Sequence, residues 1–409
     1  MVDNIVPRNV YMEKIKRFMG QEEIKLITGV RRCGKTFMLR LIVRELKSRG
    51  VPEENIFLIS LESTKYDEIH DNKDLNRLVF DLVDGVEGKV YLLFDEIQLV
   101  KNWEKSINGY RVDLDCDLYV TGSNSKLLSG DNIRLLGGRY IKIEMYPFSF
   151  SEILNYHKNI RNEEITSFEE NRIYHDFLQY GGLPRLIQLD EEQEKQDYLL
   201  DIYNSIILDE IIPKNKVRDV DFLKRIMRYV IRHISRPFSA TSLSKSMKHD
   251  QINIEPKTIK KYLRCIMESY ILLEAVKEEI PSKKELTSKK KYYLVDQGFY
   301  ELNTGTKKDL GSLIENVVFM ELKRRGYQIT VGIIKKLEVD FICRKGNQTK
   351  YFQISESIAD EVTREREFRS LEKIKDNYPK YVITQDTWDY SQNGIQHVNI
   401  IDFLKNEDI

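Results

Sequence analysis

Residues 29–36, GVRRCGKT, carry a spacing of glycine, lysine and threonine that could bind phosphate. The pattern GxxxxGK[ST] lies between an apolar run and an amphipathic run, so it predicts a turn from a strand into a helix. Glycines there let backbone N–H groups face phosphate oxygens, and the helix dipole adds to the attraction. Lys35 would reach the β- and γ-phosphates of ATP, and the Thr36 hydroxyl would ligate Mg²⁺. The predicted nucleotide-binding residues are Gly29, Arg31, Arg32, Cys33, Gly34, Lys35, Thr36 and Phe37.

Two adjacent acids follow a second apolar run, KVYLLFDEIQLV. Continuous apolar character is typical of a strand that is buried on both faces of a parallel sheet. Asp95, at the carboxyl end of this strand, would hold Mg²⁺, and Glu96 would polarise the attacking water. The prediction of hydrolysis, as opposed to binding alone, depends on Glu96. An acid in a solvated loop is the alternative.

A third predicted strand, DLYVTGSNSKLL, ends in small polar residues. Asn124 or Ser123 could sense the γ-phosphate, although either residue would serve equally well as a helix N-cap. Arg139 lies just before the last strand and could reach the γ-phosphate of a neighbouring subunit in a homo-oligomer. A surface arginine that pairs with acids is the alternative. Arg134 is the weaker candidate for the same role.

Positive charge is concentrated in residues 211–290, which hold 19 Lys and Arg against 9 Asp and Glu in a chain with no net charge. The pattern predicts a helix, a short helix, a longer helix and a lysine-rich hairpin, the order of a winged helix. Bases on the third helix would neutralise DNA phosphates without reading sequence. A protein-binding face or a solvated face is the alternative. The outward bases are Lys257, Lys260, Lys261 and Arg264, and the core positions are Ile259, Tyr262 and Ile266.

The last third of the chain carries acids in an order that resembles the PD-(D/E)XK nuclease core. Glu315 lies early on an amphipathic helix, Asp340 on the first strand of a hairpin, and Gln353 on the second. In such nucleases residues at these places ligate Mg²⁺, and a lysine orients the water. Ser355 stands in the place of that lysine, and a hydroxyl cannot stabilise developing negative charge as an ammonium does. A weak metal site without cleavage is predicted.

Other cations could alter this interpretation of the last third. Lys350 or Arg366 could supply the missing positive charge from a different position. The preferred prediction is a retained fold in which the acids pair structurally with Arg364, Arg366 or Lys336. Nucleic acid or a protein partner could then bind without being cut.

Composition excludes several classes of protein. Four widely separated cysteines form no CxxC pair, which argues against a disulfide scaffold and a zinc site and favours a reducing compartment. The first residues lack a basic flank followed by an apolar core, and no run of about 18 apolar residues occurs. A cytoplasmic protein with no membrane partner is expected.

Six stretches together resemble one family, namely GVRRCGKT, YLLFDEIQ, WEKSI, TGSNSKLLS, LLGGRYIKIEMYPFSFSEIL and GGLPRL. The chain resembles, over nearly its whole length, the AAA+-type ATPases of bacteria and archaea that carry a C-terminal domain of unknown function. The resemblance implies a five-stranded parallel ASCE core. It also implies a helical lid in which Pro184 and Arg185 would touch the nucleotide.

The predicted architecture is α/β in four parts. A P-loop AAA+-type core covers residues 1–150, a helical lid 151–212, a winged helix 213–300, and an inactive nuclease-like domain 301–409. The predicted function is ATP hydrolysis coupled to a DNA-binding, nuclease-like C-terminal region. The alternatives are a nucleotide-dependent switch or scaffold that binds a protein, and a nuclease gated by ATP.

Overall fold

The structure is a computed structural model that describes residues 5–123, 135–215, 217, 219–249, 254–280, 282–304, 309–407 and 409. The chain divides into two compact units. The first comprises Met1–Pro147 and Glu268–Tyr270, and the second comprises Phe148–Met267 and Ile271–Ile409. None of the helices in the described ranges is both long enough and apolar enough to cross a membrane.

The first unit alternates strands and helices. Its strands are β1 Ile24–Gly29, β2 Ile56–Ser60, β3 Val90–Asp95, β4 Cys116–Gly122 and β5 Tyr140–Met145. Its helices are α1 Asn9–Lys16, α2 Lys35–Ser48, α3 Asn72–Val83 and α4 Trp103–Asp113. Short 3-10 turns cover Glu53–Asn55, Thr64–Tyr66 and Ile97–Leu99.

The strands of the first unit form one parallel sheet. Among the described residues it has five strands, in the order β2-β3-β4-β1-β5. β1 is buried along its whole length and β3 nearly so, which agrees with the continuous apolar runs that predicted them. Because β4 lies between β1 and β3, the carboxyl ends of all three strands meet at one edge. The predicted five-stranded parallel core is confirmed.

A buried ion pair joins β1 to β4 near their amino ends. The Lys25 ammonium lies 2.5 Å from Asp117 Oδ1, and neither side chain has exposed surface. The second oxygen of Asp117 accepts hydrogen bonds from the backbone of Gly20 and from the Tyr119 hydroxyl, both at 2.7 Å. Burial lowers the pKa of Lys25, and the charge of Asp117 opposes that effect. The ammonium therefore depends on this carboxylate.

Asp117→Asn is expected to lower the free energy of unfolding by about 3–5 kcal/mol, because it leaves a buried ammonium without its carboxylate. Urea denaturation followed by circular dichroism measures the change. Asp115→Asn is the matched control, since Asp115 pairs with Lys89 in a largely exposed position, and about 0–1 kcal/mol is expected there. Equal losses in the two variants would show that the buried pair does not stabilise the sheet.

The second unit begins with helices and continues into a sheet. Its helices are α5 Phe150–Asn159, α6 Ser167–Tyr180, α7 Glu192–Ser205, α8 Ile212–Asn215, α9 Val220–Arg232, α10 Ala240–His249, α11 Pro256–Glu268, α12 Gly298–Thr304, α13 Leu310–Arg324, α14 Glu361–Glu372 and α15 Ile400–Lys405. A π-helical turn, Ile206–Ile211, follows α7, and a 3-10 turn covers Leu186–Gln188. Its strands are β6 Leu272–Glu279, β7 Lys284–Leu294, β8 Gln328–Ile334, β9 Leu337–Lys345, β10 Gln348–Ile354, β11 Lys380–Thr384 and β12 Gln396–Asn399.

The sheet of the second unit crosses a predicted domain boundary. In the part that the structure describes, seven strands follow the order β12-β11-β10-β9-β8-β6-β7. β6 pairs in parallel with β8, so that Lys277 lies opposite Val331. The hairpin of β6 and β7 therefore shares one sheet with the strands that follow it. The boundary predicted between residues 300 and 301 stays a prediction, and strands on its two sides pair with each other in this sheet.

A buried carboxylate explains the glycines of YGGLPRL. The backbone N–H of Gly182 donates to Asp296 Oδ2 at 2.8 Å, and that of Gly298 donates to Oδ1 at 2.9 Å. Gly181 has a φ of +86°, and a Cβ there would lie 1.7 Å from Asp296 Oδ1. Burial raises the pKa of Asp296 to about 6. Within the second unit, these contacts join the segment after α6 to the segment after β7.

Candidate functional site

The predicted phosphate-binding loop connects β1 to α2. Gly34 has a φ of +102°, a backbone conformation that favours glycine. A Cβ on Gly29 would lie 2.2 Å from the carbonyl oxygen of Met145, so this close approach also requires glycine. α2 begins at Lys35 and runs for 14 residues, so its first N–H groups border the loop. Loop and helix end together form an anion site of the predicted kind.

The ammonium of Lys35 lies within this loop. It donates to the carbonyl oxygens of Gly29 and Val30, both at 3.3 Å, and lies 3.7 Å from Glu96 Oε1. The residue is only 5% exposed. Phosphate oxygens are stronger acceptors than neutral carbonyls because the hydrogen bond is charge-assisted. The loop therefore fits a nucleotide phosphate with Lys35 as its cation.

Thr36, on the first turn of α2, meets Asp95 at the carboxyl end of β3. The Thr36 hydroxyl donates to Asp95 Oδ2 at 2.8 Å. Asp95 is 1% exposed, and its other oxygen accepts from the Thr121 hydroxyl at 2.6 Å. A hydroxyl and a carboxylate are hard oxygen ligands of the kind that Mg²⁺ prefers. These two side chains fit the predicted ion.

Glu96 is held in a left-handed backbone conformation, with φ 53° and ψ 49°. Such a conformation is uncommon for residues other than glycine and is maintained by surrounding contacts. Its backbone N–H donates to Thr121 Oγ1 at 2.9 Å, and its carboxylate accepts from the Gln98 amide. Thr121 therefore orients both Asp95 and Glu96. Sequence reasoning missed this residue, although a threonine at the end of the strand next to β3 was a usable signal.

The other predicted loop residues differ in exposure. Arg31 is half-buried, Arg32 is exposed, and Phe37 is 51% exposed on the first turn of α2. Cys33 is buried, and burial raises the pKa of its thiol. Its carbonyl oxygen accepts a hydrogen bond from the Arg8 guanidinium at 3.1 Å. Arg8 therefore fixes the Cys33 carbonyl of the loop.

The predicted sensor and finger residues are only partly described. Ser123 is buried at the end of β4, whereas Asn124 and Arg134 lie outside the described residues. The Arg139 side chain is exposed, and its carbonyl accepts from the Ile24 N–H at 3.0 Å. The roles assigned to these residues stay predictions.

The lid residues predicted to touch nucleotide lie in the second unit. Pro184 is half-buried and Arg185 is exposed, and both follow the glycines that hold Asp296. The Arg185 guanidinium donates to the Gln188 side chain at 2.8 Å. Their contact with nucleotide stays a prediction.

α11 presents bases on the side opposite its buried face. The predicted core positions Ile259, Tyr262 and Ile266 are buried, and Leu263 and Cys265 join them. Among the described residues, none of the exposed bases forms an ion pair with a carboxylate. Those bases are Lys257, Lys260, Lys261 and Arg264.

The acids predicted as nuclease-like ligands converge on an ammonium instead. Lys291 of β7 lies 2.9 Å from Glu315 Oε1, 2.8 Å from Glu338 Oε1 and 3.3 Å from Asp340 Oδ1. Its side chain is 3% exposed. Burial lowers the pKa of Lys291, but the three carboxylates outweigh that effect and raise it. Burial raises the pKa of Glu315 to about 8.

The Gln353 amide is directed away from this cluster. Its Nε2 donates to Glu367 at 2.8 Å, and its Oε1 accepts from the Ser370 hydroxyl at 3.2 Å and from the Asp340 N–H at 3.4 Å. The Ser355 hydroxyl donates to the Ser357 carbonyl. Among the described residues, no group of His, Cys, Asp and Glu is arranged to hold a metal ion. In this structure Glu315 and Asp340 contact Lys291 and the Gln353 amide bonds to other groups, and the second metal site stays a prediction.

The predicted structural partners of these acids were also wrong. Arg366 pairs with Glu367, and Arg364 donates to backbone carbonyls. Lys350 lies over the rings of Tyr327 and Tyr381, and Lys336 is in none of the ion pairs among the described residues. Lys291 was missed because it belongs to the predicted winged-helix hairpin, far along the chain from the acids on β9. Only the pairing of strands brings them together.

Fold and site together define an AAA-type domain with the P-loop ATPase architecture. Residues 21–154 match a family model described as an AAA domain, and residues 171–309 match one described as a domain of unknown function. The Walker-type ATPase of Pyrococcus abyssi shares this fold, with a TM-score of 0.50 and 14% identity, over 73% of this chain and 95% of that one.

Two curated proteins match along most of the chain. An uncharacterised protein of Haemophilus influenzae is 32% identical over 402 residues, which cover 98% of each chain. An uncharacterised protein of Methanocaldococcus jannaschii is 28% identical over 397 residues, 93% of this chain and 85% of that protein. The chain belongs to the family of the Haemophilus influenzae protein.

Proposed function

We propose that the protein binds ATP with Mg²⁺, hydrolyses it, and couples the nucleotide state to DNA binding by its C-terminal region. One observation carries the ATPase part. Lys35 lies close to Glu96, and Thr36 bonds to Asp95, at one sheet edge beside a glycine loop and a helix N-terminus. These groups are what phosphoryl transfer requires.

Each group has a separate role in this proposal. Lys35 and the loop N–H groups bind phosphate oxygens, while Thr36 and Asp95 hold Mg²⁺, which when bound neutralises phosphate charge. Glu96 accepts the proton of the attacking water. Thr121 is a positioning residue, because it bonds to Asp95 and to the backbone of Glu96. Ser123 or Asn124 senses the γ-phosphate, Arg139 acts across a homo-oligomer interface, and Pro184 contacts nucleotide.

The finer architecture is also part of the proposal. α9, α10 and α11 followed by the hairpin of β6 and β7 have the order of a winged helix. α13, the hairpin of β9 and β10, α14 and β11 have the order of the PD-(D/E)XK core. We assign the first to DNA binding and the second to a domain that does not cut.

Charge on α11 supports DNA as the partner. Lys257, Lys260, Lys261 and Arg264 follow the spacing i, i+3, i+4 and i+7, which aligns them in one stripe about 10 Å long. Like charges at this spacing repel one another and weaken a helix. A row of phosphates would remove that repulsion. The bases would therefore bind the DNA backbone without reading bases.

The triple variant Lys257→Ala, Lys260→Ala and Lys261→Ala tests the proposal. Fluorescence anisotropy with labelled duplex DNA at several salt concentrations should show weaker binding, with a salt dependence shallower by about 3 units of log–log slope. DNA should stimulate ATP hydrolysis by the unmodified protein and not by the variant. A control variant removes three exposed lysines outside the module, at Lys158, Lys373 and Lys375, and should behave like the unmodified protein.

Two outcomes would count against DNA. Equal binding by the test and control variants would exclude α11 as the contact. Absence of any DNA binding at low salt would instead favour a switch that binds a protein partner. Basal ATP hydrolysis is measured in the same samples, so the ATPase proposal stands or fails separately.

A further inference from the structure

We propose that Lys291 is the resident cation of the carboxylate cluster in the second unit, so that this sheet is held by an internal ammonium and works without a metal ion. The inference goes beyond the ATPase and DNA proposals and does not depend on either. Its basis is the convergence of three acidic side chains, from one strand and one helix, on one buried nitrogen. Those side chains are Glu315 of α13 and Glu338 and Asp340 of β9.

The location of the ammonium resembles that of a bound cation more than that of a surface lysine. Lys291 is nearly fully buried, and its three N–H bonds match three carboxylate oxygens at 2.8 to 3.3 Å. A lysine ammonium carries three donors and a single charge. A group of carboxylates in a protein interior requires a cation, because ionised oxygens are costly to bury unpaired. Here the chain supplies that cation itself.

Other oxygens of the cluster's carboxylates also accept hydrogen bonds from protein groups, so few of these oxygens remain to ligate a metal ion. Glu338 Oε2 accepts from Lys277 of β6, and Asp340 Oδ2 accepts from the Ile354 N–H at 2.9 Å. The Tyr293 hydroxyl donates to Glu315 Oε1 at 2.7 Å. These donors come from strands on both sides of β9 and from β7. They fix the carboxylates around the ammonium.

This placement also explains the serine at the position where a nuclease-like site would need lysine. The only lysine in contact with both Glu315 and Asp340, among the residues the structure describes, comes from β7. Its ammonium neutralises the acids directly instead of standing beside a metal ion. Ser355 then has no charge to stabilise, and its hydroxyl bonds to a backbone carbonyl. The cluster stabilises the sheet and does not cleave phosphodiesters.

Lys291→Met in the full chain, without nucleotide, is the first test. Removal of the ammonium should lower the thermal midpoint by about 10 °C, since three carboxylates, among them the buried one of Asp340, lose their shared partner. MnCl₂ should restore part of that loss in a concentration-dependent way, because a divalent ion can enter the freed position. Neither MnCl₂ nor EDTA should shift the midpoint of the unmodified protein. In the double variant Lys291→Met and Asp340→Asn, MnCl₂ should restore nothing.

Lys290→Met is the matched control. Lys290 is the next residue on β7, its side chain points to the other face, and it pairs with Glu274 in a half-exposed position. We expect a small fall in the thermal midpoint of this variant and no change of that midpoint with MnCl₂. If Lys291→Met does not fold, the double variant Lys291→Met and Glu315→Gln removes one charge of each sign and should recover most of the midpoint.

Three results would overturn the proposal. The first is a fall in the thermal midpoint of Lys291→Met that is no larger than the fall in Lys290→Met. The second is a folded Lys291→Met protein that shows no response to MnCl₂. The third is a rise in the thermal midpoint of the unmodified protein with MnCl₂ that Asp340→Asn abolishes. The unmodified carboxylate cluster would then already bind the metal ion.

Discussion

Glu96→Gln is expected to lower the rate of ATP hydrolysis by about 10²–10⁴-fold and to leave ATP bound. The amide has the size of the carboxylate and would lie beside the same neighbours, Lys35 and Gln98. It cannot, however, accept a proton from water. Phosphate release under saturating ATP measures the rate. A fluorescent ATP analogue measures the affinity, which should change by less than about threefold.

Two further variants make this result specific to the site. Lys35→Ala should lose nucleotide affinity itself, because the cation within the loop is gone. Glu54→Gln, an identical change on an exposed turn of the same unit, should leave both measurements unchanged. Hydrolysis by Glu96→Gln within about threefold of the unmodified rate would mean that another group activates the water.

Gly181→Ala is expected to lower the stability of the second unit by about 4 kcal/mol or more, a loss seen only when a buried contact is disrupted. Two effects add. A methyl group at φ +86° and ψ −163°, a region that is essentially restricted to glycine, is unfavourable by roughly 1–3 kcal/mol. The same methyl group would lie 1.7 Å from Asp296 Oδ1, and that oxygen cannot move without releasing Gly298. Urea denaturation and the yield of soluble protein measure the loss.

Gly394→Ala separates the two effects. Gly394 has a φ of +75° and no atom within 4 Å of an added Cβ, so only the backbone cost of roughly 1–2 kcal/mol applies. The double variant Gly181→Ala and Asp296→Ala has no such collision. It should therefore lose less stability than the two single variants lose together. Similar losses for Gly181→Ala and Gly394→Ala would refute the role given to Asp296.

The contact of Gly181 and Gly182 with Asp296 changes the meaning of the YGGLPRL stretch. The resemblance implied that this stretch touches nucleotide, and it assigned that contact to Pro184 and Arg185. The glycines themselves serve the packing of the second unit, because the Gly182 N–H donates to a buried carboxylate and Gly181 has no side chain to collide with it. If Gly181→Ala loses ATP binding, the variant must first be shown to be folded. Only then could the loss be assigned to the nucleotide site.

Most side chains that meet at the candidate nucleotide site could be identified from the chain. Its residues occur in short segments whose local spacing carries the chemistry, as in residues 29–36 and in Asp95 and Glu96. The parallel sheet then needs only apolar runs of the right length to bring strand ends together. Thr121 was missed because a hydroxyl at the end of a strand has many uses. Its contact with Asp95 exists only once β4 lies next to β3.

The carboxylate cluster could not be predicted in the same way. Spacing correctly indicated acids on a helix and a hairpin, yet it proposed Gln353 as a ligand and Arg364, Arg366 or Lys336 as partners. β6 pairs with β8, and this non-local pairing brings Lys277 next to Glu338 and joins the hairpin to the later sheet. Side-chain periodicity shows which face of a strand is buried, but not which strand lies next to it. The local motifs of this protein were therefore readable in the amino-acid order, whereas the partner of its buried acids was set by long-range strand pairing.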